Sequence, residues 1–357
     1  MKRARGGGAA RGAFDAGGGG SGGGACDAAA EGARQALLLA TQALGVNAAA
    51  VRDARDGLGV LFDMLLEYAT IEDAERFTAD EILLLGVSSN EVVRLALERG
   101  ADPNGTTSSS GLTALLYAVG RGYADSAKLL LEAGADKDRA DEDGGTPLHR
   151  AATGGAKDCL VLLLEAGADK DRASNGGRTP LHCTASRGNA DCMKLLLQAG
   201  ADTDRVTDTG YAPLHSAAWR GQAGCVKLLL EAGADKNRPT NSGEVPLHYA
   251  AKNCQADCIK LLLEAGADKD LADKNGSTPL HSIVETVRWV RGRIASLELL
   301  LEAGADASTQ NGDGKTALDV AEHYEHAEAA AMLRAALSGA SAPNRRRSTS
   351  ARRRRAR

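Results

Sequence analysis

Aromatic residues are scarce: Phe, Trp and Tyr make up 3% of the 357 residues, with two tryptophans among them. A core poor in large rings suits small packed helices better than a sheet sandwich. Long apolar runs are missing too. Leu37 to Ala40 and Leu83 to Leu85 are typical, far short of the roughly 20 residues that cross a bilayer, so no membrane span is expected. The basic start (Lys2, Arg3, Arg5, Arg11) runs directly into glycine without the apolar stretch of a signal peptide, which points away from secretion. There is no Gly-x-x-x-x-Gly-Lys loop, no His-Glu-x-x-His and no nucleophile elbow. The glycine run Gly17 to Gly20 leads to no Lys-Ser/Thr pair and reads as linker. An enzyme is not expected, and no cofactor is called for. The seven cysteines would leave one over in a disulfide framework, so reduced thiols in the cytoplasm or nucleus are expected.

What is present is a repeat. Thr146-Pro147-Leu148-His149 returns at Thr179 to His182, Ala212 to His215, Val245 to His248 and Thr278 to His281, with 33 residues between successive prolines. A second string, Leu-Leu-Leu-Glu-Ala-Gly-Ala-Asp in most copies, keeps the same 33-residue step, its glycine at Gly134, Gly167, Gly200, Gly233 and Gly266. Cys159, Cys192, Cys225 and Cys258 share that spacing. They therefore occupy one place in a repeated unit, predicted to be core rather than paired.

Each unit has a physical reading. Threonine before proline starts a helix, because its hydroxyl accepts from a free backbone amide and proline at the first position loses no needed donor. Ala151 and Ala152 let neighbouring helices approach closely, and Gly155, Gly188 and Gly221 permit the left-handed residue that ends the first helix. The second helix is predicted to bury Cys159, Leu162 and Leu163, and Gly167 stops it. One helix pair cannot cover its own apolar face, so the units must stack. The Thr-Pro-Leu-His start, the 33-residue step and the Gly-Ala-Asp after the second helix resemble the ankyrin repeat over roughly residues 79 to 337. The resemblance implies an all-α, ankyrin-type helical repeat solenoid of about eight helix-turn-helix units with projecting loops. It also implies that a partner protein binds along the loop tips and first helices, on the concave face.

Several departures carry information. A degenerate unit from about Thr78 places Ser88 and Glu91 as a capping box. Thr113-Ala114-Leu115-Leu116 lacks both proline and histidine, and Thr316-Ala317-Leu318-Asp319 begins a fading terminal cap. The unit at Thr278 holds about five extra residues within Val284 to Arg293, expected to extend its first helix and the following turn. Trp289 there, flanked by arginines, is a candidate partner contact. The expected organisation is a disordered Gly-rich segment (1–30), a helical N-terminal cap or eroded repeats (31–77), the repeat array (78–338) and a disordered Arg-rich tail (339–357).

The five histidines at one repeat position are predicted to bond the backbone of the adjacent loop rather than a metal, since helices in such a stack sit about 10 Å apart. His323 and His326, with Glu322 and Glu325, have ligand-like spacing but suit an exposed polar face equally well. Recognition is expected where the units vary, before the Thr-Pro pair and after the Ala-Ala pair. Those places hold Arg178, Ser186 and Arg187, then Tyr211, Trp219 and Arg220, then Glu244, Tyr249 and Lys252, rich in the residue types that dominate interfaces. The loop tips, with Asp141-Glu142-Asp143, form an acidic ridge expected to repel nucleic acid and favour a partner with basic patches.

Removing the eight arginines of residues 345–357 from a net charge of −4 leaves −12 on residues 1–344. The tail (Arg345, Arg346, Arg347, Arg352, Arg353, Arg354, Arg355 and Arg357) reads first as a nuclear-import signal, then as a segment attracted to RNA or a membrane surface, or as a merely solubilising end. Ser348, after three arginines, is a candidate phosphorylation site. A monomer is expected, with nucleic acid as a partner only through this tail.

Overall fold

A computed structural model of the chain describes residues 79–80, 83, 86–106, 111–285 and 292–338. The expectations for residues 1–30, 31–77 and 339–357, and for Trp289, lie outside the described residues. The chain divides into two compact units, the first ending at Ala114 and the second beginning at Leu115.

In the first unit, α1 (Asn90–Glu98) buries Val92, Val93 and Ala96. Its N-cap is Ser89, not Ser88. The Ser89 hydroxyl donates to Glu91 Oε2 at 3.2 Å, so the expected Ser88–Glu91 capping box does not form. The Asp102 amide donates to Asp80 Oδ1 at 2.8 Å, tying the loop after α1 to the segment before it.

The second unit is a run of helix pairs: α2 (Ala114–Arg121) with α3 (Ala124–Glu132), α4 (Pro147–Gly154) with α5 (Lys157–Glu165), α6 (Pro180–Arg187) with α7 (Ala190–Gln198), α8 (Pro213–Arg220) with α9 (Ala223–Glu231), α10 (Pro246–Lys252) with α11 (Ala256–Glu264), α12 (Pro279–Val284) with α13 (Arg293–Glu302), and α14 (Ala317–His323) with α15 (Ala327–Leu337). First helices pack on first helices from α4 to α14, and second helices on second helices from α3 to α15.

The local causes are those the sequence indicates. Thr146 sits in extended backbone before α4, and its side chain accepts from the His149 amide. Gly155, Gly188 and Gly221 end the first helices at φ 71°, 79° and 70°. At the end of the second helix, Gly167 N–H bonds Leu164 C=O and Ala168 N–H bonds Leu163 C=O, both at 2.9 Å, closing the helix through a left-handed glycine. Among the described residues, two first helices close through a left-handed non-glycine: Cys254 at φ 52° and Glu325 at φ 58°. The buried face of α5 is Cys159, Leu160 and Leu163. Leu160 replaces the expected Leu162, because consecutive positions at 3.6 residues per turn share the side facing two neighbours. Helix α12 stops at Val284, where an extension was expected, and Gly292, at φ 93°, leads into α13; residues 286–291 lie outside the described residues.

Adjacent loops are chained by backbone bonds: Asn175 N–H to Asp143 C=O (3.0 Å), Asn241 N–H to Thr209 C=O (3.2 Å) and Lys274 N–H to Ser242 C=O (3.0 Å). Among the described residues the extended pairing is confined to the isolated bridges Thr106–Thr113 and Gln310–Thr316.

Candidate protein-binding surface

The surface is built on the histidine frame. The Thr146 amide donates to His149 Nδ1 at 3.2 Å, which places the ring proton on Nε2. That nitrogen donates to the Arg178 carbonyl at 2.8 Å. His182 reaches the Tyr211 carbonyl at 2.8 Å, His248 that of Ser277 at 2.9 Å and His281 that of Lys315 at 3.0 Å. The residue before each Thr-Pro pair is thus held by its backbone, and its side chain is left to vary. Burial is the main cause that holds His182 and His215 down at about 4 and lowers His149 and His248. His215 adds a second partner to the pattern and bonds the Arg238 carbonyl at 2.9 Å. The Glu244 backbone, at the frame position, bears on the same ring.

Glu244 anchors a cluster. The residue is 8% exposed, and its carboxylate accepts from Ser242 Oγ at 2.9 Å and Tyr249 Oη at 2.6 Å and pairs with Lys252 Nζ. Burial works to raise its pKa, but the bonds from Lys252 and Tyr249 and the Lys252 charge outweigh it and hold the carboxyl below its ordinary value. Tyr249 has one hydroxyl proton, and Glu244 takes it. Tyr211 Oη, 2.6 Å from Tyr249 Oη, therefore supplies the proton of the phenol–phenol bond. The Tyr249 ring also meets Tyr211 (5.1 Å between centroids), His215 (5.6 Å) and Trp219 (5.7 Å, T-shaped), arrangements favoured by ring quadrupoles. Lys252 Nζ lies 5.9 Å from the Tyr249 centroid.

The structure thus brings together Tyr211, Trp219, Tyr249 and Lys252 among the residues singled out by sequence. Arg178, Arg187 and Arg220 are exposed, whereas Tyr211, Trp219 and Lys252 are half-buried. Tyr249 is 2% exposed and is corrected from a contact residue to a support beneath the surface. It precedes the Ala250-Ala251 pair rather than following it, so its side chain turns into the gap between α8 and α10. Trp289, Ser348 and the arginines from Arg345 to Arg355 lie outside the described residues.

Sequence reasoning missed a second set. Asp138 Oδ1 accepts from the Asp169 amide (2.9 Å), Asp171 from Asp202 (2.8 Å), Asp204 from Asp235 (3.1 Å), Asn237 from Asp268 (2.9 Å) and Asp270 from Asp306 (2.8 Å). Part of the acidic ridge is therefore structural, with each acid linking its loop to the next. The available signal was Asn237, which interrupts the acids but keeps a carbonyl acceptor. Cys159, Cys192, Cys225 and Cys258 are buried, chiefly by which their thiols are raised, Cys258 to about 12. Among the described residues no three His, Cys, Asp or Glu side chains gather as metal ligands. Across α14 and α15, the Tyr324 ring stacks on His326 and meets His323 edge-on. No described helix is long and apolar enough to cross a membrane.

Helix pairs stacked through loop-to-loop backbone bonds define a repeat protein whose core grows with each added unit. A family model described as ankyrin repeats (3 copies) matches residues 83–174, 167–240 and 247–345, and one described as ankyrin repeats (many copies) matches 224–263. The chain belongs to the ankyrin-repeat family. It is similar to the crystal structure of the human ASB11 ankyrin repeat domain, with a TM-score of 0.53 and 28% identity over 61% of this chain and 98% of that domain. Over 64 residues it is 44% identical to the Neurogenic locus Notch protein of Drosophila melanogaster. That stretch covers 18% of this chain and 2% of the Notch protein. Ankyrin repeats generally mediate protein–protein interaction, and the family is typically a non-enzymatic module.

Proposed function

We propose that the chain is a scaffold or adaptor that holds a partner protein on the concave face and loop tips of its central units, with Arg187, Trp219 and Arg220 as principal contacts. Arg178, Tyr211 and Lys252 flank them, and Tyr249 supports them from below. Trp289, in the inserted stretch of sequence, is a further proposed contact. One observation carries the reading: a half-buried Trp219 braced edge-on by a buried Tyr249, in a chain with two tryptophans. A ring fixed before binding loses little side-chain entropy on docking, which is how an anchor residue works. Proximity labelling in cells, comparing the intact chain with a folded Trp219→Ala/Arg220→Ala variant, tests it. Partners lost in the variant support the face; an unchanged set removes it.

A second reading rests on the eight arginines of residues 345–357. In it the tail sets a nuclear location, or attracts nucleic acid, and the repeats recruit a client protein; phosphate on Ser348 would lower the local positive charge. Deleting 345–357 is expected to move the protein from nucleus to cytoplasm. An unchanged distribution argues against the import role.

A further inference from the structure

The charge of the central face is opposite to that of the body around it. Residues 1–344 sum to −12, yet Arg178, Arg187 and Arg220 stand exposed on neighbouring units. Among the described residues none of these three is paired with a carboxylate, whereas Arg150 is held by Asp141 at 2.6 Å and Lys252 by Glu244. Glu244, the acid at the centre of the cluster, is already occupied. Lys252, Tyr249 and Ser242 bond its oxygens, and Lys252 lies over the Tyr249 ring. A cationic group from a partner would have to displace Lys252 to reach either the carboxylate or that ring. An anionic group meets Arg187 and Arg220 with nothing to displace.

Resting on the reading that this face binds protein, we infer that the docked segment is a short acidic peptide, whose carboxylates meet Arg187 and Arg220 while one apolar side chain seats against Trp219. Arginine's planar fork suits carboxylates, and the adjacent ring supplies the apolar anchor. The negative surroundings add selection, because they repel a long polyanion over its whole length while a segment with few charges is attracted locally. This favours a peptide over a nucleic acid. It also reverses the partner charge that the acidic loop tips alone suggest.

The test is selection from a random-peptide phage library against the full chain, beside a Trp219→Ala/Arg187→Glu/Arg220→Glu variant whose thermal unfolding matches the parent. Enriched peptides are expected to be acidic with one large apolar residue and to weaken with added salt. Trp219→Ala alone is expected to cost about 30-fold in affinity, the level of an anchor residue. Enrichment of basic or uncharged peptides that the variant loses overturns the acidic assignment but keeps the face. Peptides bound equally by the variant, or none enriched on the intact chain, overturn both. A labelled single-stranded oligonucleotide that binds the chain with residues 345–357 deleted, and not the variant carrying that deletion, assigns the arginines to nucleic acid instead.

Discussion

Glu244 is buried to 8% exposure and still ionised because Lys252, Tyr249 and Ser242 together replace the water it lost. Removing one partner leaves an under-compensated charge. Lys252→Met is expected to lower stability by about 1–3 kcal/mol, toward the low end because the Lys252 side chain is 31% exposed and water screens the pair. Adding Glu244→Gln should recover most of the loss, measured by urea unfolding; no recovery would mean that Lys252 acts through packing alone. Backbone conformation gives a second residue-scale expectation. Gly188 lies at φ 79°, and a Cβ there would run into the Gln222 carboxamide, so Gly188→Ala should destabilise by about 1–2 kcal/mol. At Glu325, φ 58°, substitution by glycine should stabilise by about 1 kcal/mol in the same assay.

At the level of helices and loops, His149, His182, His215 and His248 must stay neutral, because each ring both accepts from its own helix start and donates to the next loop. His182 and His215 fall to about 4, from an ordinary value of 6.5. Between those values the unfolded chain binds protons that the folded chain does not, so stability is full above about 6.5 and is lost as pH falls toward about 4. Replacing His182 and His215 with glutamine should lower stability at neutral pH and flatten that slope, read from urea midpoints across the window; a slope unchanged by the substitutions would place the titration elsewhere. The frame was legible in the sequence, since Thr-Pro-Leu-His, the terminal glycines and the 33-residue step report local backbone demands. The turn of Tyr249 into the α8–α10 gap was not, because it depends on Glu244 and Tyr211 meeting it from two units. Nor was the end of α12 at Val284, since a count of extra residues does not say where a helix ends. The linking role of Asp138, Asp171 and Asp204 was hidden because an acceptor and a solvated charge are the same letter.

At the scale of the whole array, stability in the second unit is a sum over neighbouring pairs. Amide exchange should be slowest in α6 to α11, which have neighbours on both sides, and faster in α15, where Leu337 is 43% exposed. Equal protection throughout would point to a single cooperative block. Function is read at this scale too, as a surface that spans units. Its most direct measurement is photo-crosslinking in cells from a reactive residue placed at Arg220, on the central face, or at Lys194, exposed on a second helix. Defined partner crosslinks from position 220 and none of them from position 194 are expected; the same partners from both, or from position 194 alone, would contradict binding on the central face.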